Sequence, residues 1–339
     1  MNRFAWTNPR SVAEATAAAS AIVSDAMKIA VDGNAQSSAS IIKAGGTDVI
    51  DLVKENLLTP QTIVNLRSVP GLDDIAEENG GLRIGSMVTL AALSAHPVVR
   101  TRYPILAQAV GSSASPQIRN VATLGGNLLQ RPRCWYFRSA AFPCLRKGGS
   151  HCFAISGDNR YHAIFDNLPC AIVHPSSAAI PLVALGAQIE LTDAKGNLRK
   201  ALLEDFFVAH DPHRENDLRS HEILTSVILP APAGSHMAHQ KQGEKAFDWP
   251  LADVSVVLDL NSDGYCRKAA VVLGAAAPTP HRAKGAETLL IGQRLDETVA
   301  RNAAHAALNG ANPLAMNRYK LPLFETLIRR ALLQAARLT

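Results

Sequence analysis

Cys134, Cys144, Cys152 and Cys170 fall within 37 residues of a 339-residue chain, in the segment RPRCWYFRSAAFPCLRKGGSHCFAISGDNRYHAIFDNLPC (131–170). That segment shows neither the period of a helix nor the alternation of a strand. Unstructured loops beyond about 12–15 residues are uncommon in compact domains, so a stretch this long, rich in Gly, Pro, Arg and aromatic residues, needs something to organise it. The spacing C-x9-C-x7-C-x17-C matches neither paired zinc knuckles nor the tight bacterial ferredoxin run. The setting is more informative than the spacing: a metal centre would supply the organisation, and an iron-sulfur cube on four thiolates would be stabilised by nearby arginines and backbone N–H groups. Buried free thiols or two disulfides are the other readings. The opening MNRFAWTNPR has no charged region, apolar stretch and small-residue cleavage site in series, so no secretory signal is expected and disulfides are disfavoured. His151 and His162 lie in the same segment and could replace a thiolate, although four cysteines suffice.

The charge distribution points the same way. The chain carries 34 Lys and Arg against 29 Asp and Glu, yet residues 79–157 contain no acid at all. They do hold Arg83, Arg100, Arg102, Arg119, Arg131, Arg133, Arg138, Arg146 and Lys147. A basic balance confined to one stretch predicts a bound anion: nucleic acid, a phosphorylated cofactor or an anionic cluster. Aromatics make up only 5% of residues and no base-stacking platform is evident, which places nucleic acid last. No apolar run approaches the length needed to span a bilayer, so membrane insertion is not expected. The length fits two domains, or a few subdomains.

SIIKA (40–44) reads as a short strand, followed by AGGTD and then by Val49, Ile50, Leu52, Val53 and Leu57 at helical spacing. Gly45 and Gly46 permit positive φ and close backbone approach, and Thr47 or Asp48 can cap the helix. Two glycines before a capped helix are often only a turn; the ending is not that of a Walker loop, nor is the pattern a Rossmann fingerprint. Further strands are expected at 62–66, 81–84 and 223–229, with helices from about Leu90 and over roughly Tyr103–Ala114. After them comes SPQIRNVATLGGNL, where Ser115, Gln117, Thr123, Gly125, Gly126 and Asn127 offer hydrogen bonds with little bulk, as an extended dinucleotide requires. Two such loops make one shared ligand a better explanation than either does alone. No Ser-His-Asp set, H-E-x-x-H motif or paired-carboxylate signature is found, so no catalytic side chain is assigned and the chemistry falls to a cofactor.

KAGGTD, QIRNVATLGGNL and HPSSAAIPLVALGAQIEL (174–191), with the opening MNRFAWTNPRSVAEA and the C-terminal LGAAAPTPHRAKGAETLLIG and NRYKLPLFETLIRRAL, resemble the FAD-binding subunit of the xanthine dehydrogenase family of molybdenum hydroxylases. The likeness covers nearly the whole chain. RCWYFR, FPCLRKGG and NRYHAIF ending in Cys170 are similar to the subset with an iron-sulfur insertion, the flavin subunits of periplasmic aldehyde oxidoreductases, more than to those of 4-hydroxybenzoyl-CoA reductases.

The resemblance implies an α+β flavoprotein with a two-part FAD-binding domain of the p-cresol methylhydroxylase/vanillyl-alcohol oxidase type over 1–230, divided at about 58/59. A 4Fe-4S insertion would occupy about 131–170, and a C-terminal α+β domain of the carbon monoxide dehydrogenase flavoprotein type would run over 235–339, after a break in ILPAPAGSHMAHQ. Lys43, Ala44, Gly45, Gly46, Thr47, Asp48 and Val49 would wrap the FAD pyrophosphate. Ser115, Gln117, Thr123, Gly125, Gly126 and Asn127 would form the second flavin loop, and Cys134, Cys144, Cys152 and Cys170 would hold the 4Fe-4S cluster. Ser177 departs from the acidic residue the family often carries in HPSD; Lys241 stands where a basic residue often lies near the flavin, or is an exposed strand lysine. Neither glycine loop has a histidine for covalent flavin attachment.

As implied partners, a large molybdenum-cofactor subunit would oxidise an aldehyde and a small subunit with two 2Fe-2S clusters would pass electrons here, through the cluster to FAD and on to an acceptor. The complex would be cytoplasmic, or periplasmic through a partner's signal. A self-contained flavin oxidase and a zinc-stabilised scaffold are the rival readings.

Overall fold

The computed structural model describes residues 2–28, 39–232 and 236–337, and it builds them into three sheets. The first is parallel, with β1 (Ala5–Thr7), β2 (Ser40–Lys43) and β3 (Thr62–Asn65) in the order β1-β3-β2. Its central strand β3 lies beyond residue 58, so this sheet draws on residues past the division expected from the sequence. Ile41, Leu52, Leu58 and Ile63 close its core, because the helix Val49–Lys54 turns Leu52 and Val53 inward.

The second sheet is antiparallel, in the order β4 (Ile75–Glu78), β5 (Gly81–Gly85), β8 (Glu222–Leu229), β6 (Gln188–Asp193), β7 (Leu198–Leu202). Helices Leu90–Ala95, Pro97–Arg102, Pro104–Gly111 and Ala179–Ala184 cover it, burying Leu93, Leu106, Leu182 and Val227 in one core. The expected helix over Tyr103–Ala114 is shorter at both ends. Pro104 sets its first turn, and Ala114 adopts φ 47, outside helical space.

The third sheet is antiparallel, with β9 (His236–Gln242), β10 (Ala252–Leu260), β11 (Cys266–Gly274) and β12 (His281–Arg282) in the order β12-β11-β10-β9. Asp263-Gly264 turns between β10 and β11 as expected, with Gly264 at φ 83. The helix Lys320–Ala335 packs on this sheet through Phe324, Ile328 and Leu332, and the helix Glu297–Ala306 packs against it. Three residues of the expected domain break, 233–235, lie outside the described residues.

Residues 131–170 contain only two short helical turns, Trp135–Arg138 and Leu145–Lys147; the remainder is irregular. Phe137 and Cys144 join the core of the first sheet, with Cys134 and Phe153 packed against them. From the other side the C-terminal domain grips 159–163: Asn317 Nδ2 donates to the carbonyls of His162 and Ala163, and Lys320 Nζ to those of Tyr161 and His162. Among the described residues no helix is long and apolar enough to cross a membrane.

Candidate functional site

The two glycine loops meet. A Cβ on Gly45 would lie 2.3 Å from the Val121 carbonyl oxygen, and one on Gly126 would lie 3.7 Å from Ala44 Cβ. Gly46 takes φ 92, which a side chain would strain. Thr123 caps the second loop, its Oγ1 accepting from Gly126 N at 3.2 Å. Gly125 sits against Ser86, so its missing Cβ lets the loop close onto the residue that follows β5.

Between the loops runs a cavity open to solvent. Ala44, Gly45, Gly46, Thr47, Asp48, Val49, Thr123, Gly125 and Gly126 line it. Residues that no motif marks line it too, Ala21–Ser24, Glu215, Asn216 and Ile223–Leu224, together with Arg131 from the acid-free stretch.

Other expected residues stand back from this cavity. Lys43 is buried, donates to Asn65 Oδ1 at 3.2 Å and lies over Trp6; burial, then Arg67, lowers its pKa. Ser115 caps the turn Pro116–Arg119, and Gln117 is exposed. Asn127 instead ties the second loop to the HPSS segment, accepting from Ser176 Oγ at 2.7 Å and Ala178 N at 3.2 Å. Ser177 is buried nearby. Lys241, half-buried rather than exposed, donates to the Ser112 carbonyl at 2.9 Å and lines a separate cleft with Gln108 and His239.

All four clustered cysteines line a second, smaller cavity of about 280 Å³, together with Tyr136, Phe137, Leu145, Arg146, Phe153, His162 and Ile172. The Gly148–Gly149 turn makes this possible: Gly148 has φ 97, and a Cβ on Gly149 would strike the Pro143 carbonyl oxygen at 1.8 Å. All five cysteines are free thiols, so the disulfide reading is not seen. Burial pushes Cys134 up to about 12, while Cys170 is pulled down by hydrogen bonding from Cys152 and by Arg146. His162 Nε2 approaches Cys134 Sγ at 3.2 Å, and Arg146 Nε donates to Cys170 Sγ at 3.4 Å. Among the described residues no three His, Cys, Asp or Glu side chains are arranged to hold a single metal ion. Four thiols around one small cavity, with a cation against one sulfur, do fit the donor set of a cluster.

The acid-free stretch is not a free basic patch. Six of its nine cations pair with carboxylates from elsewhere: Arg83 with Glu190, Arg102 with Glu77, Arg131 and Arg146 with Glu215, and Arg133 and Arg138 with Asp48. Asp48, expected as a helix cap, makes no capping bond; its carboxylate accepts from Arg131 N at 2.8 Å and Arg138 Nη2 at 2.6 Å. Much of the local charge imbalance is therefore resolved by tertiary pairing.

Residues 2–232 match the family described as FAD binding domain in molybdopterin dehydrogenase, and 238–335 match the CO dehydrogenase flavoprotein C-terminal domain. The aldehyde oxidoreductase FAD-binding subunit PaoB of Escherichia coli is 35% identical over 86% of this chain and 90% of its own. The carbon monoxide dehydrogenase medium chain of Afipia carboxidovorans is 27% identical over 98% of this chain and 96% of its own. In fold the chain resembles reconstituted CO dehydrogenase from Oligotropha carboxidovorans, at TM-score 0.74 and 24% identity over 99% of this chain and 98% of that one. With quinoline 2-oxidoreductase from Pseudomonas putida 86 the TM-score is 0.72, at 24% identity and the same coverage. The chain thus belongs to the FAD-binding medium subunits of the molybdenum hydroxylases, oxidoreductases of the xanthine dehydrogenase family.

Proposed function

We propose that this chain is the electron-transfer subunit of a heterotrimeric, molybdenum-containing aldehyde oxidoreductase, with FAD between its glycine loops and a 4Fe-4S cluster on Cys134, Cys144, Cys152 and Cys170. The observation that carries this is the convergence of all four cysteines on one small cavity beside the cavity that both glycine loops line. The likeness to an aldehyde oxidoreductase subunit supports the substrate class. Bound there, FAD and cluster would supply electron-pair and one-electron chemistry, which no side chain here provides.

The chain's own residues bind and orient. Gly45, Gly46, Gly125 and Gly126 bring backbone to the cavity wall without side-chain bulk. Leu66, Leu129 and Leu224 line the same cavity and supply apolar surface. Arg146 offsets negative charge at Cys170, and Tyr136, Phe137 and Phe153 shield the thiols from water. Partner subunits with a molybdenum cofactor and 2Fe-2S clusters would deliver the electrons, and an external acceptor would take them.

The test is spectroscopy followed by turnover. The purified chain should show flavin bands with a broad iron-sulfur shoulder, and should oxidise aldehydes only when combined with its partners. A colourless protein, or aldehyde turnover by the chain alone, overturns the reading.

A further inference from the structure

Glu215 accepts from Arg131 Nη1 at 2.5 Å and from Arg146 Nη1 at 2.6 Å, and all three side chains are at most 4% exposed. The two arginines belong to different cavities. Arg146 lines the cysteine cavity and donates to Cys170 Sγ, whereas Arg131 and Glu215 line the glycine-loop cavity. Backbone carbonyls of 211–214 fix both guanidinium groups: His213 accepts from Arg131, and Asp211 and Arg214 accept from Arg146. Even so, Arg131 keeps Nε and Nη2 buried with no acceptor, its guanidinium lying 5.0 Å over the Phe137 ring.

A buried ion triad is weak evidence for stability, since apolar replacements of similar volume are often as stable. Its position is more telling, because it is a charged bridge from a cysteine sulfur to the wall of the other cavity. We propose that Glu215 is a positioning residue that couples the two cavities, holding Arg146 on Cys170 and Arg131 at the flavin wall, so that filling the flavin site resets the reduction potential of the cysteine-held centre. The inference rests on the FAD and 4Fe-4S reading above.

The direction follows from charge. A donor and a positive charge at a ligand sulfur favour the more negative, reduced form and raise the potential. The negative charge of a dinucleotide held in that cavity draws on the Arg131 guanidinium and loosens its hold on Glu215. The carboxylate then draws more strongly on Arg146, which donates less to Cys170, and the potential falls. Linkage requires the converse: FAD binds more tightly when the centre is oxidised, with couplings of this kind amounting to about 5–150-fold in affinity.

Redox titrations monitored by electron paramagnetic resonance, on protein with flavin bound and after its removal, test this in wild type, Glu215→Gln and Glu215→Asp. Wild type should show a lower potential with flavin than without. Glu215→Gln should raise the potential of the flavin-free protein and abolish the flavin-dependent shift. Glu215→Asp keeps the charge but is too short to bridge both arginines, and should retain part of the shift; it decides the matter if Glu215→Gln fails to hold iron. A wild-type potential indifferent to flavin, or a full shift in both variants, overturns the coupling. Wild-type protein that holds no iron or no flavin overturns the underlying reading instead, so the two failures are distinct.

Discussion

Gly45 and Val121 touch backbone to backbone: a methyl group on Gly45 would sit 2.3 Å from the Val121 carbonyl oxygen, closer than any carbon tolerates. Gly45 is required because two loops 76 positions apart close on each other, before any ligand is considered. Gly45→Ala should therefore force the loops apart at a cost of about 1–3 kcal/mol, the scale of overpacking a tight site. Flavin content should fall with the thermal midpoint while iron per chain holds. Unchanged flavin affinity in a folded Gly45→Ala protein would refute the role of this contact.

Gly46 fails for a different reason. At φ 92, its added Cβ would lie 2.6 Å from Lys43 Cε, a flexible neighbour that can move, so the backbone conformation is the harder obstacle. Gly46→Val should lose FAD at a strain of about 1–3 kcal/mol and keep its iron. Equilibrium dialysis against FAD checks the first part and metal analysis the second.

That the two glycine loops meet and the four cysteines converge was legible because these residue types stand out in the sequence. Glu215 was not. It lies 45 positions beyond Cys170 in an unpatterned stretch, and its importance comes only from the fold bringing Arg131 and Arg146 to it. The charge argument pointed to a phosphorylated cofactor, which the FAD-binding family supports, but the stretch is not a free basic surface, because Asp48, Glu77, Glu190 and Glu215 arrive from elsewhere to pair with its arginines. The strands at 40–43, 62–65, 81–85 and 222–229 were readable from the sequence, whereas β1, β4, β6 and β7 were not, and the assignment of β3 to the first sheet depends on long-range pairing with β1 and β2.

A pH dependence resides in the C-terminal sheet. Burial raises Asp253 to about 7, opposed by Lys241; His239, whose Nδ1 is 3.5 Å away, is lowered to about 4 by burial and then by Lys241. Between an unfolded value of about 4 and this folded value, the folded state binds more protons at Asp253, so this group's contribution to stability falls as pH rises from about 4 to about 7 and stays low above, while the lowered His239 contributes in the opposite sense up to its unfolded value of about 6.5. Asp253→Asn should remove that slope, matching wild type near pH 4 and exceeding it at pH 8 by an amount on the order of a few kcal/mol. Urea melts across this range would contradict the assignment if both proteins showed the same slope.

Lys320 holds the cysteine segment from the C-terminal side. Fully buried, it donates to the carbonyls of Tyr161, His162 and Ala275 at 3.2, 3.0 and 2.8 Å. Burial lowers its pKa to about 7. Lys320→Met leaves these acceptors unpaired, at about 1–3 kcal/mol for each buried group that water cannot reach. A lower thermal midpoint and faster proteolytic cleavage within 131–170 should follow; protection equal to wild type would show that the segment is held by other contacts.

The most direct measurement is iron and acid-labile sulfide per flavin in wild type and in five single Cys→Ser variants. Cys266 is buried at the start of β11, its Sγ donating to the Lys268 carbonyl at 3.3 Å, and it lies outside the cysteine cavity. Wild type should carry about four iron and four sulfide per flavin, the content of one 4Fe-4S cube. Cys266→Ser should match it, while Cys134→Ser, Cys144→Ser, Cys152→Ser and Cys170→Ser should each lose iron and loosen 131–170, because ligand binding at such a site is also folding energy. Iron lost from Cys266→Ser but retained by one of the other four, or iron unchanged in all five, would contradict a cluster on these thiolates.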